Sequence, residues 1–335
     1  FSETLVAMMG GLVCERRNSE STGPKNGSES LKLEPPETEG HESGFEDYSY
    51  EYSNERVTFA NNRFEYSDSP AACVGHGSFG TVFKGIDKSN SQQVAIKKMT
   101  TFNVKPDELK TMQRVSSAYL VALIEISDES TGITHVVMEL CDTDLEQHLL
   151  WNTTSGKLVQ SELKLLVDNI ARGYYVLYEH HIVHRDIKPQ NILITYQPTG
   201  HLIKNAKITD FGVSRMLSEG ENSKSLSNVA GTLHYMAPEV GANLLTICEY
   251  DHCVDMWSIG CVIYQSYVGK IPFDERDLCR LFLHCAGGNY EAYDVPELPD
   301  DTPVHLEILL NSLLEIDREK RATPDQLLEA IQNQD

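Results

Sequence analysis

Gly75-His76-Gly77-Ser78-Phe79-Gly80-Thr81-Val82-Phe83-Lys84-Gly85 is the stretch that decides how this chain folds. Three glycines spaced G-x-G-x-x-G occur at the strand-to-helix turn of dinucleotide folds and also at the bend of a hairpin. Here Thr81-Val82-Phe83 continues in β-branched and aromatic residues, so the glycines sit at a hairpin bend and do not open a helix. With no Cβ in the way, Gly75, Gly77 and Gly80 let backbone N–H groups approach an anion such as a phosphate oxygen. A glycine turn without a ligand is the plainer alternative, and the residues further along the chain weigh against it.

Outward from the hairpin, Phe64 to Val74 has the pattern of a strand leading into the glycines, Thr81 to Gly85 of the return strand, and Gln93 to Met99 of a third. A short helix is expected from Pro106 to Val115, then strands over Tyr119–Ile126 and Thr134–Leu140. After Cys141 the period changes. Leu163, Leu166, Val167, Ile170, Tyr174 and Leu177 share one stripe at helical spacing, and a second long helix begins near Asp255 with Trp257, Cys261 and Tyr264. The tail from Pro303 to Ile331 is mostly helical in pattern. The fold class is therefore α+β: a small β-rich lobe at about 66–140 ahead of a larger helical lobe at about 141–333, with a cleft between them where ligands tend to bind.

The 335 residues carry a net charge of −22, which argues against nucleic acid or an anionic membrane as the main partner, since both select a basic face. Residues 15 to about 65 are rich in Ser, Glu, Asn and Gly around Pro35-Pro36, and bury too little apolar surface to offset their ordering entropy. Residues 1–65 are expected to be an acidic, mostly disordered arm, and 66–333 the folded domain. Tyr48, Tyr50 and Tyr52 lie among acids in that arm, as a docking or phosphorylation segment or as plain solvated linker. Leu5 to Cys14 is apolar but too short to span a bilayer; it is either a loosely packed end or the trimmed end of a membrane helix, and the missing initiator Met fits a fragment. Eight scattered cysteines fit separate reduced thiols and hence a cytoplasmic protein; Cys248, His252 and Cys253 match no common zinc spacing.

Four more short runs follow the glycines in order: Val94-Ala95-Ile96-Lys97, His184-Arg185-Asp186-Ile187-Lys188-Pro189-Gln190-Asn191, Asp210-Phe211-Gly212 and Ala237-Pro238-Glu239. A lysine in an apolar strand is costly unless its charge is partnered; strand alternation from Ala95 favours Lys97 over Lys98 as the inward one. Each run alone is weak. As an ordered set, over about 67–332, they resemble the eukaryotic protein kinase domain.

That resemblance implies a bilobal kinase fold, ATP and Mg2+ as cofactors, and transfer of the γ-phosphate to protein substrates. It implies that Gly75, Gly77 and Gly80 cover the phosphates, that Val82, Ala95 and Leu193 contact the nucleotide, and that Lys97 reaches the α- and β-phosphates with Glu108 as its helix partner. Met138-Glu139-Leu140-Cys141 resembles the hinge, with Met138 at the back of the pocket and backbone groups through Glu139 and Cys141 along the adenine edge. Asp186 would accept or orient the hydroxyl proton, Lys188 would offset γ-phosphate charge, and Asn191 and Asp210 would hold magnesium. Thr232 would bond Asp186 and Lys188, as in serine/threonine kinases, and Lys188-Pro189 points to that type. Phe211 would stack with Met112, Leu123 and His184; Glu239 would pair with Arg321; Asp255 would hold the catalytic-loop backbone.

The segment Val213–Thr232 carries Ser214, Ser218, Ser223, Ser225 and Ser227, and Arg185 is placed to take a phosphate there, Ser227 first in expectation. An upstream activating kinase or a second copy acting in trans would be the partner. Val213 implies threonine acceptors, and Gln190 makes arginine-directed selection doubtful. Tyr196-Gln197-Pro198-Thr199-Gly200 is an insertion similar to one in autophagy-initiating and endoplasmic-reticulum stress kinases, whereas the surroundings of Ser227 and Met236 are more like MAP-kinase kinases, so the subfamily stays open. The alternatives are a catalytically inactive kinase-like scaffold and an active enzyme held off by residues 1–65.

Overall fold

The computed structural model describes residues 51–77, 80–100, 115–128, 132–210, 215–216, 233–242 and 251–332. The chain partitions at Ser49/Tyr50, and all of the described residues belong to the second unit, Tyr50–Asp335.

Arg56–Phe59 (β1) and Phe64–Ser67 (β2) form an antiparallel hairpin, pairing Val57 with Tyr66 and Phe59 with Phe64. Strand β1 lies inside the arm expected to be disordered, so order begins earlier than residue 66. The cause is local: Val57 and Phe59 alternate with Arg56 and Thr58, and Ala60, Asn61 and Asn62 close the turn at φ of 50°, 54° and 65°. Asparagine tolerates that left-handed region better than other side chains. Averaged over an acidic, serine-rich arm, so short a signal disappears.

Cys73–Gly77 (β3) and Gly80–Asp87 (β4) flank the glycine bend, with His76 opposite Thr81 and Gly77 opposite Gly80. The single strand expected over Phe64–Val74 is thus two. Both lie end to end on one edge of β4: β2 pairs Phe64 with Asp87 and Tyr66 with Gly85, while β3 pairs Cys73 with Phe83. The break falls at Pro70, which has no N–H for a ladder. Gln92–Thr100 (β5), Leu123–Asp128 (β6) and Ile133–Glu139 (β7) complete a sheet in the order β1-β2-β4-β5-β7-β6. Phe59, Phe64, Tyr66, Phe83, Val94, Ile96 and Val137 form its buried core.

Past β7 come Thr143–Asp144 (β8), Leu145–Trp151 (α1) and Gln160–Glu179 (α2). The Asp144 carboxylate caps α1 by accepting from Gln147 N at 2.9 Å. Ile182–Val183 (β9), Ile192–Tyr196 (β10), Ile203–Ile208 (β11) and Arg215–Met216 (β12) follow, with β10 paired to β11 and β8, and β9 to β12. The further α-helices among the described residues are Pro238–Ala242 (α3), Cys253–Val268 (α4), Glu275–Ala286 (α5), Val304–Leu313 (α6) and Pro324–Gln332 (α7). Leu166, Ile170, Tyr174 and Leu177 bury the predicted stripe of α2. Helix α4 is apolar on nearly every side and lies at the centre, with Met256, Trp257, Ile259, Cys261, Val262 and Ile263 all buried. A Cβ on Gly260 would stand 2.9 Å from Leu313 Cβ, so glycine is what lets α4 and α6 pack this closely. The helix expected at 106–115 lies outside the described residues except for Val115.

Candidate active site

Sheet and helical lobe meet at a cavity of about 640 Å³ lined by Gly75, His76, Val82, Ala95, Lys97, Met138, Glu139, Cys141, Asp186, Lys188, Asn191, Leu193 and Asp210, among others. The sheet supplies the first part of this wall because alternation on β4 and β5 turns Val82, Ala95 and Lys97 to one face, with Val82 opposite Lys97 in register. Lys97 is 8% exposed, and its Nζ lies 3.0 Å from Asp210 Oδ1. Its neighbour Lys98 points away, to Asp68 at 3.0 Å, so the inward lysine is the one the alternation selects. Ala95 and Met138 sit opposite one another on β5 and β7, both buried.

The helical lobe fixes its side of the site through one carboxylate. Asp255 is fully buried near the start of α4. Its Oδ2 accepts from His184 N at 2.6 Å and from Tyr174 Oη at 2.7 Å, and its Oδ1 from Arg185 N at 2.7 Å. Burial and the Asp255 charge raise the Tyr174 phenol far above its ordinary pKa, so it stays a donor. His184 Nε2 lies 2.8 Å from the Thr209 carbonyl oxygen, which can only accept; the proton is therefore on Nε2, and Nδ1 accepts from Asp186 N at 3.3 Å. One imidazole thus ties the loop before Asp186 to the residue before Asp210.

Lys188 Nζ lies 2.8 Å from Asp186 Oδ2. Asn191 Nδ2 donates to Asp186 O at 2.7 Å and to Oδ2 at 2.9 Å, which commits the amide nitrogen and leaves Oδ1 as the atom a hard cation would take. Arg185 and Asp210 both have positive φ, 68° and 61°. A non-glycine residue held there is strained, and such strain gathers at functional sites.

The structure therefore brings together Gly75, Val82, Ala95, Lys97, Met138, Glu139, Cys141, Asp186, Lys188, Asn191, Leu193 and Asp210 on the two sides of one cleft, while Gly77 and Gly80 stand at the facing ends of β3 and β4 and are not among its lining residues. The glycines divide by role. A Cβ on Gly75 would meet nothing within 4 Å, whereas one on Gly80 would overlap the Lys98 carbonyl oxygen, so Gly80 is required by the packing of β4 on β5. Glu108, Met112, Phe211, Gly212, Val213, Thr232, the five segment serines and Cys248 lie outside the described residues, as does the arm before residue 51. Glu239 and Arg321 form the expected ion pair, at 2.7 and 3.0 Å, buried. Gln190 donates to Glu146 at 2.6 Å, and burial together with the Asp144 charge raises the Glu146 pKa.

Some participants escape sequence reasoning. Tyr174 counts there as one apolar residue of a helical stripe, and its hydroxyl role has no local signature. Glu139 takes Lys207 Nζ at 2.6 and 2.7 Å and Ala122 N at 2.7 Å, joining the end of β7 to β11 across a long sequence gap. Val74 and Thr209 also line the cleft, and each is findable as the residue just before a named motif.

Residues 70–331 match the family described as protein kinase domain. The chain is 33% identical to serine/threonine-protein kinase fused of Drosophila melanogaster over 66% of its own length and 26% of that protein. It is 32% identical to human serine/threonine-protein kinase ULK1, over 79% of its length and 25% of that protein. With mouse serine/threonine-protein kinase 36 it shares 33% identity over 62% of its length and 15% of that protein. The chain thus spans about a quarter or less of these curated relatives. The bilobal fold, the ordered motifs and a match over most of the sequence agree: this chain belongs to the protein kinase domain family, and the relatives named here are serine/threonine kinases.

Proposed function

We propose that this chain is an active serine/threonine protein kinase, transferring the γ-phosphoryl group of ATP to hydroxyls on protein substrates. The observation that carries the proposal is the meeting of Lys97, Asp186 and Asp210 in one cleft, with Lys97 and Asp210 in contact at 3.0 Å. The cavity suits the nucleotide: aliphatic side chains of Val82, Ala95 and Leu193 for a flat base, and two lysines for its phosphates. The donor set suits magnesium, since Asp210 offers a carboxylate and Asn191 an amide oxygen. Magnesium there would neutralise charge developing on the phosphoryl oxygens.

Asp186 orients the acceptor hydroxyl and takes its proton as the new O–P bond forms and the bond to ADP breaks; the proton then passes to water. Positioning outweighs base strength in so loose a transition state, so a carboxylate held by Lys188 and Asn191 suffices. Lys97 binds the α- and β-phosphates. An activation-segment phosphoserine, Ser227 first, pairs with Arg185, and threonine is the favoured acceptor. The cytoplasm is the proposed compartment, on the ground that Cys73, Cys141, Cys253, Cys261 and Cys279 are reduced thiols outside any disulfide.

Phosphate incorporation from radiolabelled ATP, compared between wild type and Asp210→Asn, tests the proposal. Incorporation by wild type that falls at least a hundredfold in the variant supports it. Equal, background-level incorporation in both would make the chain a kinase-like scaffold instead.

A further inference from the structure

Tyr52 lies outside the matched domain, ahead of β1, yet its ring packs on the core of the sheet. It meets the Phe83 ring edge-on, centroids 6.4 Å apart at 87°, and the His76 imidazole at 6.1 Å and 69°. Its hydroxyl lies 2.9 Å from His76 Nε2. His76 stands between Gly75 and Gly77, lines the nucleotide cavity, and through Nδ1 reaches Thr81 Oγ1 across the hairpin at 3.3 Å. One phenol thus touches both arms of the glycine hairpin: β4 through Phe83, and β3 through His76.

The segment that carries Tyr52 is itself fastened. Asn54 N donates to Asp68 O at 2.7 Å, Asp68 N to Glu55 O at 2.9 Å, and Ser53 Oγ to Asp68 Oδ2 at 3.1 Å. Lys98 holds the same Asp68 carboxylate at 3.0 Å. Residues 53–55 therefore extend the β1–β2 ladder and deliver Tyr52 to the hairpin in a fixed place. The hairpin needs such a support, because glycines leave its backbone with the most conformational freedom to lose on binding.

We propose that Tyr52 is a positioning residue for nucleotide binding, acting through His76 to hold the glycine hairpin in its phosphate-binding shape. The nucleotide affinity of this chain then depends on a residue in front of the kinase domain. The inference rests on the nucleotide-binding role assigned to the cleft above.

The test is a double-mutant cycle in the full chain with Tyr52→Phe, His76→Ala and the double variant, reading Mg·ATP affinity by calorimetry and the KM and kcat for ATP. Losing the hydrogen bond between this hydroxyl and His76 corresponds to roughly a three- to tenfold effect. Tyr52→Phe is expected to weaken Mg·ATP binding and raise KM by that factor, with kcat within about twofold, and to have no further effect once His76 is alanine. A role in packing alone is not expected to give that dependence on His76, since Phe keeps the ring on Phe83. Equal Mg·ATP affinity in wild type and Tyr52→Phe, or an undiminished Tyr52→Phe effect in the His76→Ala background, overturns the inference. Wild type that fails to bind Mg·ATP at all overturns the assignment of the cleft instead.

Discussion

On the helical side of the cleft, the backbone ahead of Asp186 is pinned by Asp255, a buried carboxylate that takes donors from His184, Arg185 and Tyr174. On the sheet side, Val82, Ala95 and Lys97 are held by the ladder of β4, β5 and β7, and Lys97 reaches across the cleft to a partly exposed partner, Asp210. The difference lies in what else each support carries. The buried network is part of the folding core, so damage there costs stability as well as activity. The ladder holds regardless of which side chain projects from it, so the sheet-side residues are free to serve a ligand alone.

Removing the Arg321 side chain should show the folding side at its strongest. Arg321→Leu takes from the buried Glu239 carboxylate both hydrogen bonds that the guanidinium gives it and is expected to destabilise the chain by about 3–5 kcal/mol in urea unfolding. The double variant with Glu239→Leu should recover much of that loss. If the single variant is as stable as wild type, the helical lobe does not depend on its buried ionic groups and the contrast fails.

Asp255→Asn sharpens it. An amide keeps the shape but replaces one acceptor oxygen with a donor, facing groups that also donate. A loss of about 2–3 kcal/mol is expected, together with a kcat lowered tenfold or more and a KM for ATP nearly unchanged. A change confined to KM would place the Asp255 network on the nucleotide side instead.

Lys97→Met is the opposite case. The Asp210 side chain it leaves behind is 27% accessible, so water can replace the lost partner and stability should move by less than about 1 kcal/mol. Mg·ATP affinity should fall roughly ten- to hundredfold, the worth of a charge-assisted contact to phosphate. Calorimetry beside a denaturation curve separates the two quantities, and a variant that unfolds like Arg321→Leu would erase the distinction between the lobes.

The same contrast explains what could be read from sequence. Motifs on the cleft are short because each sits on one strand or turn, where alternation or a glycine bend is a local property; Lys97 against Lys98 was decided by period alone. The supports are not local. Tyr174 and Asp255 are 81 residues apart, and Glu139 and Lys207 are 68 apart, so nothing in either neighbourhood announces the bond. Boundaries failed for a related reason: the four-residue β1 and the Pro70 break are weaker than the composition around them, and only pairing with a neighbour makes them strands.

The sheet also has ionic supports away from the cleft, and the pair of Arg63 with the buried Asp87 is where acid should act. Arg63 donates to Asp87 at 2.7 and 3.1 Å, and Asp87 also accepts from Ser89 N at 2.9 Å, tying the turn after β1 to the end of β4. The Arg63 bond above all, then Ser89, holds the Asp87 carboxyl well below the usual carboxylate range. A depressed folded pKa means the native state binds fewer protons than the unfolded chain, so this contribution is complete above the unfolded value of about 3.9 and is lost as pH falls below it. Melting temperatures of wild type and Asp87→Asn should therefore differ by a constant amount from pH 7 down to about 5, then draw together as the pH falls further, because the unfolded chain takes up a proton that native Asp87 does not, and the gap should close fully only once the pH passes below the depressed folded value. A gap that stays constant across the whole range would mean that Asp87 supports the sheet by shape and not by charge, and the sheet would then owe its stability to its ladder and core alone.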